Sequence, residues 1–402
     1  MKQNFLFTAA VSASLLIFAG CSKQNKATIS QIPENIKHHS WYFFTEDGFE
    51  QTSLPQQSGI SSLKPWTETL RASDANTAAD KSGYMLVNRL GVIHFAKNES
   101  QQVQPVLIQD YELFSNSTAS NLIFDNENPY FTLSRSSFFN KEASLSETGS
   151  AQDSNRPFLV RISKELKAFY PAITYGDLRL GGGGEITGTF FDGNSFFASI
   201  KKINNSKTEF TYINFFANSS LESLSPFTKD EKITIQETSE ENYRLLNSPK
   251  KFSDSPKRLR SLLSSIPQNF YFSVECKNSG GTSPKTFISG SDFGSDFSSE
   301  TAESSENSFL IGAHAIIADD WICAVFSDGT TYFNGALDGE PILNNGKNTA
   351  FRLPKLPLNY IYGPFCISGT TLAVAWEESD FYKTGRSGFL TVDLKKVLYN
   401  EK

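Results

Sequence analysis

The sequence predicts an all-β body of β-propeller-like design, with about six to eight four-stranded blades. Three observations carry that expectation. Thirty-five Phe and fourteen Tyr stand against only two Met, and aromatic side chains suit a pleated, half-buried surface. Short alternating apolar runs recur along the chain. Asp-Gly and related turn pairs separate many of them, and such pairs tolerate the positive φ that a tight hairpin needs.

The elements follow in order. Residues 1–20 carry one cation, Lys2, and after Asn4 only apolar or small residues. A positive start followed by an apolar core of this length reads as an export signal, removed in the mature protein. Residues 21–37 are polar and lack aromatics, so they read as a flexible tether. The folded domain is expected over 38–402. Tyr84–Asn88 and Val92–Phe95 flank Arg89-Leu90-Gly91 as a first hairpin. Gly188–Phe191 and Ser195–Ala198 flank Asp192-Gly193-Asn194, and Ile322–Phe326 and Thr330–Phe333 flank Ser327-Asp328-Gly329. Asp47-Gly48 and Asp338-Gly339 mark further turns. Additional strands are read over Phe158–Ile162, Glu209–Phe216, Lys232–Gln236, Phe270–Glu275, Thr371–Trp376 and Gly388–Asp393.

Radial repetition accommodates this many strands while leaving only short edges exposed. Grouping the runs places blades near 83–115, 120–175, 185–237, 268–312, 313–356 and 358–400. The run Trp41-Tyr42-Phe43-Phe44 is expected to pair with the last blade and close the ring. Two segments depart from the pattern. Residues 254–266 have a capping Asp or Ser, a proline in the first turn and apolar residues at 259, 262, 263 and 266, which predicts a short helix near 255–266. Residues 289–308 are rich in Ser and acids and are expected to form a mobile loop, having little apolar surface to offset chain entropy.

Composition narrows the function. The formal charge of −6, without basic blocks, argues against nucleic acid as a partner. There is no HExxH and no GxSxG in the sequence, so the familiar zinc-protease and hydrolase-elbow signatures are absent. The run Gly181–Gly184 is followed by Glu185-Ile186-Thr187 instead of the Lys-Ser/Thr of a phosphate loop, and reads as a turn. Asp292, Asp296, Glu300, Glu303 and Glu306 fit no calcium-loop spacing, and Asp125-Asn126-Glu127-Asn128 lacks the Gly and distal Glu of an EF-hand. His38 and His39 end the tether, while His94 and His314 lie in or beside strands. Asp319-Asp320-Trp321 reads as a turn before a buried strand. Glu377-Glu378-Ser379-Asp380 is the most site-like acidic group, but alternation sends Glu377 and Glu378 to opposite faces. Cys276, Cys323 and Cys366 permit at most one intrachain bridge, and Cys323 sits in an apolar run that suits a buried thiol. No cofactor, metal or catalytic residue is assigned.

The residues Ile17-Phe18-Ala19-Gly20-Cys21 resemble a bacterial lipobox, with Phe18 where the family prefers Leu, a variation like that of spirochaete lipoproteins. The resemblance implies cleavage before Cys21 and multiple acylation of that cysteine. Stable anchoring requires more than one acyl chain. It implies a protein held in the cell envelope by lipid, at the outer membrane or the periplasmic face. Ser22 lacks the Asp that retains enteric lipoproteins at the inner membrane. The body resembles propeller-type hypothetical lipoproteins of spirochaetes in style, and no functional residue beyond Cys21 is carried over. The function expected is non-catalytic: a propeller scaffold that binds another envelope protein. The alternative is a carbohydrate-active enzyme or glycan-binding surface lipoprotein.

Overall fold

A computed structural model describes residues 38–53, 70–98, 102–114, 117–125, 128–135, 157–163, 167–175, 184–192, 195–204, 207–217, 233–264, 266, 272–279, 284–289, 311–341, 349–378 and 386–398. Strands dominate it. Strands β1 (His39–Thr45) and β2 (Gly48–Thr52) form a hairpin about Asp47-Gly48. The first complete meander is β3 (Ala72–Thr77), β4 (Gly83–Val87), β5 (Gly91–Lys97) and β6 (Val103–Ile108). A single helical turn, α1 (Tyr111–Phe114), leads to β7 (Ser117–Asp125), β8 (Asn128–Arg135), β9 (Pro157–Ser163) and β10 (Ala168–Thr174). The third meander is β11 (Gly184–Phe191), β12 (Phe196–Asn204), β13 (Lys207–Ala217) and β14 (Ile233–Thr238). Each of the three is a four-stranded antiparallel sheet.

After α2 (Glu240–Asn247) the chain makes β15 (Lys250–Lys251), a 3-10 turn (Phe252–Asp254) and α3 (Lys257–Leu262). It continues through β16 (Phe272–Asn278), β17 (Lys285–Ser289), β18 (Ile311–Ile317), β19 (Trp321–Phe326), β20 (Thr330–Leu337), β21 (Glu340–Pro341) and β22 (Thr349–Arg352). The last strands are β23 (Tyr360–Ser368), β24 (Thr371–Glu378) and β25 (Ser387–Asp393), followed by α4 (Leu394–Leu398).

The pairing expected of Trp41–Phe44 with the last blade is present. Strand β1 pairs antiparallel with β25, Trp41 opposite Leu390 and Phe43 opposite Gly388, so the N-terminal hairpin completes a five-stranded sheet with β23–β25. The grouping into blades differs from the expected one in two places. The first meander begins at Ala72, eleven positions before Gly83, because the polar segment ASDANT is its innermost strand. The units expected at 268–312 and 313–356 share one eight-stranded sheet, joined by parallel pairing of β16 with β18. The described residues therefore contain five sheets, and the eight-stranded one holds two of the expected blades.

Apolar seams lock neighbouring sheets together. Trp41, Trp321, Phe333, Tyr362, Phe365, Trp376 and Leu390 fill the seam between β18–β22 and the closing sheet. Met85, Val87, Ile93 and Phe95 of the first meander meet Cys366, Ala373 and Phe389 of the closing sheet. Phe114, Phe124, Phe131 and Val160 pack against Tyr84 and Leu86, and Ile123, Tyr130 and Phe158 pack against Ile186, Phe196 and Ala198. The expected helix packs Leu259, Leu262 and Leu263 onto β16–β20, as its apolar spacing requires. It is shorter than predicted, and Pro256 occupies the N-cap position without a capping side chain.

The turns define two rims. One carries Ala78–Ser82, Asp319–Asp320, Asp338–Gly339 and Gly369–Thr370, tied together by Lys81–Asp320 at 3.3 Å, Lys97–Asp338 at 2.9 Å and a bond from Gly369 N–H to the Lys81 carbonyl. His38 joins the ring there, its carbonyl accepting from the Asp393 N–H at 3.2 Å. The other rim carries Asn88–Leu90, Ser327–Gly329, residues 353–359 and α1, at the opposite ends of the same strands.

Candidate functional site

Inner strands β3, β7, β16, β18 and β23 converge near the ring axis, and there the structure places its most unusual chemistry. A register shift between Ala72 and Asp74 turns the Asp74 carboxylate inward from β3. Its Oδ2 accepts from the Leu122 N–H of β7 at 2.8 Å. Its Oδ1 contacts Lys277 Nζ, which reaches across from β16 and also donates to the Ala75 carbonyl at 3.0 Å. Asp74 is 7 % exposed and Lys277 3 % exposed, so the pair is withdrawn from water. Glu275, two residues along on the same face of β16, brings Oε1 to 3.7 Å from Lys277 Nζ. Its other oxygen lies 3.1 Å from His314 Nδ1, its partner across the parallel β16–β18 register. Beside the cluster, Thr77 Oγ1 donates to the Ile367 carbonyl and accepts from the Ile367 N–H, fastening β3 to β23.

Removing an ammonium from water penalises its charged form. Burial accordingly pushes Lys277 down from 10.5 to about 7, the Cys366 sulfur opposing the shift. Burial raises the Cys366 thiol in turn, with Lys277 opposing. The arrangement is a buried amine in contact with a carboxyl group, with a second, partly exposed carboxylate 3.7 Å from the amine.

The residues singled out in the sequence lie elsewhere. Cys21 and the acidic group from Asp292 to Glu306 are outside the described residues, as is the expected mobile loop apart from Ser289, which ends β17. Gly184 opens β11, and Gly181–Gly183 are outside the described residues. Asn128 accepts from Arg161 at 2.7 Å and holds β8 to β9. His39 sits at the start of β1, beside Trp41. His94 stacks flat on Tyr84, centroids 4.6 Å apart, and His314 faces Glu275. Glu377 and Glu378 do point apart: Glu377 lies 3.7 Å from Arg71 at the start of the first meander, whereas Glu378 is buried. Asp320 pairs with Lys81, and the Asp319 carbonyl accepts from Arg258. Cys276, Cys323 and Cys366 are all free thiols, buried on three different strands. The bridge that their number allowed is not formed.

Sequence reasoning missed Asp74, Glu275 and Lys277. The available signal was the alternation Val274-Glu275-Cys276-Lys277, in which the charged positions share one face; that pattern normally denotes a solvated face.

The family profile described as "Family of unknown function (DUF8086)" matches residues 30–396, a span that takes in every described strand. The chain belongs to this family. Among relatives of this DUF8086 chain, an "Uncharacterized lipoprotein" of Treponema pallidum (strain Nichols) is 23 % identical, covering 89 % of the chain and 87 % of the relative. A spirochaete lipoprotein is thus among the proteins similar to it, in keeping with the resemblance drawn from residues 17–21 and the style of the body. The solved structure of YCF48 from Cyanidioschyzon merolae aligns over 82 % of the chain and 97 % of its own at 10 % identity, with a TM-score of 0.25, too low to bear on the fold. No helix among the described residues is long and apolar enough to cross a membrane.

Proposed function

We propose that this DUF8086 protein is an envelope lipoprotein, acylated on Cys21, whose β-propeller-like body binds another protein through the rim opposite His38. Lipidation is supported by the lipobox at residues 17–21 and by the lipoprotein relative. The observation that carries the binding assignment is the placement of exposed apolar side chains. Leu358 is 77 % exposed and Tyr111 69 % exposed, the two highest values among the large apolar side chains described, with Leu245 on α2 at 67 % and Phe210 on β13 at 52 %. Leu358 and Tyr111 stand on the rim away from His38, whereas the rim beside His38 is laced with paired charges. Exposed aromatic and aliphatic anchors within a polar surround suit a protein partner. The carbohydrate reading gains no support from Glu377 and Glu378, which diverge.

The test is a pull-down from detergent-solubilised envelope, comparing the lipidated protein with Cys21→Ala and with a Leu358→Asp/Tyr111→Asp form. A stoichiometric partner that the body retains and the rim variant loses is the expected result. Retention on cell-wall or surface glycan with no protein recovered refutes the protein-binding assignment. Detergent-phase partitioning of wild type but not of Cys21→Ala checks the anchor separately.

A further inference from the structure

We propose that Lys277 and Asp74 are joined by an amide bond between Lys277 Nζ and Asp74 Cγ, formed by the protein itself with loss of one water. The bond would fasten β16 to β3, strands 203 positions apart in the chain, across the axis of the ring.

Each requirement of the reaction has a residue in place. The nucleophile must be an uncharged amine, and the electrophile a carboxyl group whose oxygen can leave as water. A dry site favours the neutral amine and neutral acid over the ion pair, because neither charge is solvated there. The lowered pKa of Lys277 agrees with this. Nζ already lies against the carboxyl group, so folding supplies the proximity that makes an intramolecular condensation fast. The Ala75 carbonyl, 3.0 Å from Nζ, engages one N–H and orients the nitrogen. The Leu122 N–H, 2.8 Å from Oδ2, is placed to stabilise negative charge on that oxygen as the tetrahedral carbon forms. Glu275, 3.7 Å from Nζ, is the nearest partly exposed carboxylate and is assigned as the proton carrier, reaching the nitrogen and Oδ1 through a bridging water or a small side-chain movement.

The steps balance without oxidant or cofactor. The neutral Lys277 amine attacks Cγ of protonated Asp74, forming the N–C bond. Glu275 takes a proton from the nitrogen and delivers it to the Oδ1 hydroxyl. The Cγ–Oδ1 bond then breaks, water departs, and Oδ2 remains as the amide oxygen facing Leu122. Glu275 is about one-third exposed, so it can exchange protons with solvent while the reacting pair stays dry. With all three described cysteines unbridged, such a bond would be the covalent staple that the exported ring otherwise lacks.

The deciding experiment is a tryptic peptide map of the purified full-length protein under reducing conditions. If the bond forms, Lys277 is no longer a cleavage site. The segment 72–81 then appears joined to segment 261–285 as one branched species, lighter by one water than the two peptides together. Separate peptides, with cleavage at Lys277, overturn the proposal. Asp74→Ala and Lys277→Arg should each abolish the branched species. Should either variant fail to fold, the wild-type map still decides. Glu275→Gln should fold and show most of the protein unjoined; a fully joined Glu275→Gln protein would overturn its assignment as proton carrier.

Discussion

Truncating Trp41 tests whether ring closure by β1 is an energetic keystone or a peripheral addition. Trp41 is 4 % exposed and meets Trp376 edge-on, centroids 6.3 Å apart, within the seam between the closing sheet and β18–β22. Replacing a buried tryptophan by alanine costs about 3–5 kcal/mol, combining lost transfer energy with the cavity left behind. Against a total stability of about 5–15 kcal/mol for a folded domain, that is a large share. The aromatic pair itself should account for about 0.5–1.5 kcal/mol, measured as the non-additive part of a Trp41→Ala/Trp376→Ala cycle. The assay is urea denaturation in detergent of the purified protein, followed by far-UV circular dichroism so that tryptophan loss does not affect the signal. The reasoning also predicts that deleting residues 1–52 leaves β25 as an open edge and promotes association. A Trp41→Ala loss below about 1 kcal/mol would show that the N-terminal hairpin rests on the ring without helping to close it.

Other outcomes follow from particular residues. Burial pushes the Cys276 thiol up to about 12 and raises Cys323 and Cys366 as well, so none should react with a thiol reagent at pH 8 until denaturant is added; rapid labelling of the native body would contradict the packing. In Asp74→Ala, Lys277 keeps a free amine whose folded pKa lies below its unfolded value. The unfolded chain then binds the extra proton between about pH 7 and 10.5, and stability should rise with pH across that window, by up to about 1.4 kcal/mol per unit. Wild type with its amine in an amide should lack that rise. Gly91 has φ +138° and an added Cβ would meet the Ile108–Gln109 backbone, so Gly91→Ala should destabilise by more than the roughly 0.4–1 kcal/mol by which the same change stabilises a site that accepts alanine, read as a lowered urea midpoint. Glu377→Gln should destabilise, because Arg71, penalised by burial, loses the carboxylate that opposes that penalty, read as a lowered urea midpoint.

The outer parts of the blades were legible because their strands obey local rules. Asp338-Gly339 has φ +54° and +86°, the paired left-handed conformation that makes this dipeptide a hairpin signal. Arg89 at φ +65° and Gly329 at +86° play similar roles at other turns read from the sequence. The inner strands were less legible for a physical reason. At the axis a strand is packed by other strands on every side, so its side chains need not alternate between core and water. Strand β3 has only Ala, Ser, Asp, Asn and Thr, yet Asp74 to Thr77 are all buried. Their polar groups are satisfied by partners far away in sequence, such as Leu122, Lys277 and Ile367. Local patterning cannot disclose a partner 203 positions away. The same limit hid α2, whose Ser239 cap is visible in the sequence but whose single buried anchor, Tyr243, rests on Phe190 and Tyr212 of another element.

The position of the Lys277–Asp74 contact also bears on where binding can occur. A lysine and an aspartate that merely lined an open channel would be solvated, and exchanging their contact for water would cost little. This pair is enclosed instead, with β3, β7 and β16 each contributing a hydrogen-bonding group and β23 packed alongside. Substituting either residue would leave the other buried without its partner, an unsatisfied polar group that typically costs about 1–3 kcal/mol, so a ligand site at that point would conflict with holding the inner strands together. The rims carry no such constraint. Their turns hang from strand ends fixed by the seams, and Leu358 or Tyr111 can change without disturbing a core contact. A division of labour follows from the energetics: the axis holds the inner strands together, and the rim turned away from His38, where the proposed partner would dock, is free to vary.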